Sequence, residues 1–142
     1  MRRRAFVVAA LAAALGCGRK AAPRPPQWVV PEPPAPVVAE VRDGGIRVAW
    51  KRPRRYSGGD PLDDLDHFEV SRACPPDGPF APIGAIAILD RGRFRKEHRF
   101  SALDVDAPRG LACRYRVVAV TEDGERSPPA ESDPVEWPAA AP

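Results

Sequence analysis

Beyond Pro36 the chain alternates between apolar and polar positions. From Gly44 to Trp50, Ile46, Val48 and Trp50 fall on one side and Arg47 and Ala49 on the other, the period-two pattern of a half-buried strand. The preceding stretch puts Val37, Ala39 and Val41 on one face, and Asp43-Gly44-Gly45 between the two runs is turn chemistry, because glycine reaches φ > 0 without steric cost. Phe68 and Val70 share a face further along, as do Tyr115, Val117 and Ala119, and Asp123-Gly124 behind the latter predicts a tight hairpin. Two weaker strands are expected around Phe80–Ile88 and His98–Leu103. No sustained helical period follows residue 36. Short alternating strands separated by Gly, Pro and Asp clusters predict an all-β sandwich, with Trp50 and Tyr115 filling the space between its sheets. Pro128, Pro129 and Pro134 place the last strand at a sheet edge, where a missing N–H is harmless.

Upstream the pattern is different. Arg2, Arg3 and Arg4 are followed by eleven uncharged, largely apolar residues, Ala5–Leu15, and then by Gly16 and Cys17. A basic start, an apolar run and a small residue in that order form a secretory signal. The run is far short of the ~20 residues that span a bilayer. Ala14-Leu15-Gly16-Cys17 resembles the lipobox of bacterial lipoproteins, with Leu15 two places before the cysteine where the usual pattern has it three before. The resemblance implies that residues 1–16 are removed and that Cys17 is acylated, making the lipid bilayer the first partner. Gly18 in place of an aspartate then implies the outer membrane, facing the periplasm, under the enterobacterial sorting rule. Residues 17–33 read as the lipidated N-terminus and a linker. Seven prolines between Pro23 and Pro36 favour extended polyproline II, and residues 18–36 in that form would reach about 60 Å. Trp28 in this stretch is either a docking anchor or a strand-packing residue.

Composition matters mainly through charge. The chain carries 22 Lys+Arg and 19 Asp+Glu, a formal net charge of +3. The three signal arginines account for the whole excess, so the remainder is neutral and nucleic acid is not an expected partner. Local clusters remain: Lys51, Arg52, Arg54 and Arg55, then Arg91, Arg93, Arg95, Lys96 and Arg99. They read as solvated loop faces or as contacts for anionic headgroups and lipopolysaccharide phosphates. Arg52, Arg54, Arg55, Arg91, Arg93 and Arg95 are the candidate binding surface. The only two histidines, His67 and His98, have no metal-ligand spacing around them. Asp60, Asp63, Asp64 and Asp66 offer hard oxygens for calcium, but their spacing fits no established loop. Neither a nucleophile elbow nor a phosphate-cradling loop occurs. No enzyme, metal or cofactor is implied.

The segments GIRVAWKRP, PLDDLDHFEVSR, FAPIG and FSALDVDAPRGLACRYRVVAVTEDGERSPP together resemble a fibronectin type III domain. Trp50 matches the Trp ending the second strand, Phe68 and Val70 the aromatic-x-Val strand, and Tyr115, Val117, Ala119, Gly124 and Ser127 the later Tyr-strand and its turn. The resemblance covers about residues 34–137, leaves a short tail at 138–142, and implies a seven-stranded immunoglobulin-like sandwich of two antiparallel sheets. It also makes strands three and six antiparallel neighbours, which brings Cys74 and Cys113 to adjoining ends. They are either a disulfide or two unpaired buried thiols. The function implied is a non-catalytic interaction or structural module. Its partner would be an envelope protein or glycan, reached through loops Lys51–Leu65 and Asp90–Arg99 or a sheet edge. The alternative is a lipoprotein that binds lipopolysaccharide or carbohydrate through the same basic loops.

Overall fold

Alternation becomes two sheets. A computed structural model of the chain describes Pro23 and residues 25–140; the signal segment and Cys17 lie outside the described residues. One sheet holds β1 (Val38–Arg42), β2 (Gly45–Lys51) and β5 (Arg99–Asp104) in the order β1-β2-β5. The other holds β3 (Leu65–Ala73), β4 (Ala81–Ala87), β6 (Ala112–Thr121), β7 (Ala130–Glu131) and β8 (Val135–Glu136), with β3 between β4 and β6, and both β7 and β8 paired to β6. All strand pairs are antiparallel. The seventh strand expected from sequence is thus two short pieces, separated by Ser132-Asp133-Pro134, where Pro134 has no N–H to continue the ladder.

The core sits where the alternation puts it. Ile46, Val48 and Trp50 from β2 meet Phe68 and Val70 from β3 and Tyr115, Val117 and Ala119 from β6, all buried. Trp50 packs edge-on to Phe68 at 5.4 Å between centroids, and Phe68 lies 4.9 Å from Phe100 of β5, so aromatic rings tie the two sheets together. A bulge between Leu65 and His67 against β6 shifts the register by one, which lets both Leu65 and Phe68 face inward although they are three apart.

The β3–β6 register also decides the cysteines. Arg72 lies opposite Tyr115 and Ala73 opposite Arg114, so the next step sets Cys74 against Cys113. The two are joined in a disulfide with a Cα–Cα distance of 4.5 Å, that of directly opposed residues in an antiparallel pair.

Of the linker expected at 17–33, the stretch from Pro25 on is described, and it packs against the domain. Pro26–Trp28 forms one turn of 3-10 helix, Pro31 bridges Tyr56, and Glu32 N–H donates to Arg55 O at 3.0 Å. Ser57 N–H donates to Val30 O at 2.8 Å, and Pro31 and Pro34 are fully buried. From Trp28 onward this stretch is part of the domain. Proline rings bury apolar area well, and the 54–58 loop supplies the backbone partners that a free polyproline stretch would take from water.

Candidate interaction surface

The antiparallel registers place β1, β3 and β5 starts and β2, β4 and β6 ends at one pole of the sandwich: Val38 lies opposite Ala49, Lys51 opposite Arg99, Leu65 opposite Thr121 and His67 opposite Ala87. The chain enters the fold at this pole. Here also lie the loops 52–64, 88–98 and 122–129, and therefore both basic clusters. The disulfide lies at the other pole.

The six candidate arginines separate into three kinds. Arg52 is buried and is not part of an open surface, which corrects the sequence expectation. Its Nη1 donates to Asp90 Oδ1 at 2.8 Å and Oδ2 at 2.9 Å, and the two side chains are only 6% and 8% exposed. Burial pushes the Asp90 carboxyl up, but the Arg52 hydrogen bonds, the Glu97 N–H and the Arg52 and Lys96 charges outweigh it and hold it below the usual carboxylate range. Arg91 is half-exposed but committed: it pairs with Asp66 at 3.0 Å and with Glu122. The His67 hydrogen bond, ahead of the Arg91 charge, holds Asp66 below its ordinary value. Arg54, Arg55, Arg93 and Arg95 are exposed, with Arg55 donating to Gly59 O at 2.7 Å.

Around Asp90 the loop is clamped at its base. Arg93 N–H donates to Asp90 O at 2.9 Å, Lys96 Nζ to Asp90 O at 3.0 Å and also to Arg91 O, and Glu97 N–H to the Asp90 carboxylate. Arg52 N–H donates to His98 O at 2.9 Å. The clamp leaves Gly92-Arg93-Phe94-Arg95 as a tip, with Phe94 wholly exposed and Leu89, earlier in the same loop, 82% exposed. Phe94 is not among the residues expected from sequence, and its one signal there is a lone aromatic between two arginines in a Gly-bearing loop.

The same pole carries an acidic groove of about 510 Å³, lined by Tyr56, Asp60, Asp63, Asp64, Asp123 and Glu125 among others. Tyr56 donates to Asp64, and burial, followed by that hydrogen bond, pushes the Tyr56 hydroxyl up. Among the described residues no group of three or more His, Cys, Asp or Glu side chains is placed to hold a metal ion. No described helix is long and apolar enough to cross a membrane. At the side of the sandwich, the edge strands β4 and β5 flank an open groove of about 650 Å³ that reaches Arg72 and Asp104.

Toward the opposite pole, Asp104 is buried between the sheets. It accepts from Arg72 Nη1 at 2.8 and 3.0 Å, from Tyr115 Oη at 2.8 Å and from Asp106 N–H at 3.2 Å. Burial first, then Asp104, pushes the Tyr115 hydroxyl up against a smaller opposing effect of Arg72. This network joins β5 to β3 and β6 and serves the fold.

No protein-family model matches the chain, and no curated protein matches it. Solved structures do. Domains A168–A170 from titin match with a TM-score of 0.55 and 20% identity over 78% of this chain and 33% of that one. The third fibronectin III domain of human KIAA0343 protein matches with a TM-score of 0.51 and 10% identity over 88% of this chain and 97% of that one. The fold is that of a fibronectin type III domain. A twitchin kinase region from C. elegans matches with a TM-score of 0.54 and 20% identity over 78% of this chain and 17% of that one. The chain spans a third or less of the titin and twitchin structures it matches. At such identities the likeness is one of fold.

Proposed function

We propose that the chain is an acyl-anchored bacterial envelope lipoprotein whose fibronectin type III domain is a non-catalytic interaction module held close to the membrane. The observation that carries this is the order Arg2–Arg4, an eleven-residue apolar run and Cys17, with a β-sandwich following almost at once. Acylation at Cys17 would leave eight Cα steps to Pro25, a contour of at most about 30 Å. The domain would therefore work within a few nanometres of the bilayer surface, and its surface loops would meet partners there.

Intact-mass analysis of protein made in a bacterial host tests the reading. The expected product begins at Cys17 and carries a diacylglyceryl thioether, while Cys17→Ser accumulates with residues 1–16 still attached. An unmodified Cys17 sulfur in the mature protein, or recovery of the protein wholly in the aqueous fraction, overturns it.

A further inference from the structure

We infer that the pole at which the chain enters the fold is itself a bilayer-docking surface, with Phe94 and Leu89 entering the headgroup region and Arg93 and Arg95 binding lipid phosphates. The inference rests on the acyl-anchor reading and adds the orientation of the domain and the chemistry of what this pole meets. Three observations lead there. First, the N-terminal segment lies along loop 54–58 at this pole, and the exposed Trp28 packs beside Gly58. A linker of at most about 30 Å beyond Pro25 then keeps this pole, rather than the disulfide pole, toward the membrane.

Second, the two most exposed large apolar side chains among the described residues, Phe94 and Leu89, both belong to the 88–98 loop at this pole. Exposed Phe is unfavourable in water, and a hinged loop would fold it back. The Arg52–Asp90 pair and the Lys96 and Glu97 contacts instead hold the loop base so that the ring points outward. Third, Arg93 and Arg95 flank the ring and have no ion-pair partner among the described residues, while Arg91 is neutralised by Asp66 and Glu122. An apolar wedge between two free guanidinium groups fits an interface in which acyl chains lie beneath phosphates. The acidic groove lies between loops 52–64 and 122–129, and Arg91 at the base of the tip already pairs with Glu122 of the latter loop, so Arg93 and Arg95 attract an anionic surface while the groove repels it.

The test uses the mature acylated protein with Phe94→Cys carrying a nitroxide label, and Asp106→Cys at the far pole as its control. The probes are vesicles of phosphatidylcholine alone or with one-third phosphatidylglycerol. In anionic vesicles the label at 94 is expected to collide with dissolved oxygen more than with a water-soluble nickel complex, while the label at 106 stays aqueous throughout. Arg93→Glu with Arg95→Glu returns position 94 to water, each lost cation weakening docking about fivefold. Equal aqueous accessibility at 94 and 106 in anionic vesicles overturns the proposal. So does protection of 94 by lipopolysaccharide or by a protein when phospholipid gives none. The mass of Cys17 tests the anchor separately: a lipidated protein whose position 94 stays in water refutes docking and leaves the anchor standing.

Discussion

Replacing Arg52 by methionine leaves Asp90 buried without its guanidinium partner, held only by the Glu97 N–H and the more distant charge of Lys96. The pair is almost fully desolvated, at 6% and 8% side-chain exposure, and both carboxylate oxygens accept from Arg52 Nη1. Breaking such a pair from one side costs about 3–5 kcal/mol, because the remaining charge loses its partner without regaining water. For a domain of this size that lowers Tm by roughly 10–20 °C. Replacing both members, Arg52→Met with Asp90→Leu, removes the stranded charge and is expected to return stability to within about 1 kcal/mol of the parent. The assay is guanidinium unfolding of the disulfide-intact protein, completed as a double-mutant cycle.

The pair also fixes a pH dependence. Asp90 sits below its ordinary value in the folded state, so its contribution is present above the unfolded carboxylate pKa of about 3.9 and is lost as pH falls through the folded value. The parent should lose stability below about pH 4 by a step that the double variant lacks. Trypsin should meanwhile cut at Arg91, Arg93 or Arg95 faster in Arg52→Met, because the loop base is released. A single variant within 1 kcal/mol of the parent, with unchanged proteolysis, would refute the idea that this pair is dry and holds the loop.

Three further outcomes are expected. Removing the disulfide by Cys74→Ala with Cys113→Ala opens a closed loop with a sequence separation of 39 and should cost about 4 kcal/mol in guanidinium unfolding, while the denatured, unreduced parent titrates no thiol from this pair. Tyr56 and Tyr115 are the only two tyrosines, and both are pushed above their ordinary value. The native protein should therefore show no phenolate absorbance step at pH 10, the step should appear in urea, and the stability these groups contribute should fall as pH rises past 10. Tyr115→Phe, which leaves Asp104 with Arg72 and the Asp106 N–H, should cost about 1–3 kcal/mol by the same unfolding assay.

The buried charges show how far strand parity reaches. Ile46, Val48 and Trp50 predict an inward residue next, and that residue is Arg52. Likewise Phe68 and Val70 lead to Arg72, Ile86 and Ile88 to Asp90, and Phe100 and Ala102 to Asp104. Each run ends on an inward charge at the rim of the core. Read as chemistry alone, Arg52 joins a basic surface cluster; read as the next step of a strand, it points into the protein. The alternation continues through the first charged side chain of each run. The described part of the proline segment is a different case. Its composition describes what isolated chain does in water, and the 54–58 backbone offered better partners than water.

The sandwich, the inward sets on β2, β3 and β6, the turns at Gly44 and Gly124, and the signal-like order ending in Cys17 are legible in the residues alone, because period-two burial and glycine geometry are local properties. The folded arrangement settled that Arg52 pairs with Asp90 and Arg72 with Asp104, since which charges meet depends on how strands distant in sequence are set side by side. It decided also that the N-terminal segment docks at the pole of the basic loops, and that Phe94 stands outward there. Those placements follow from antiparallel register and from clamping of the loop base, and neither can be read from any one stretch of the chain.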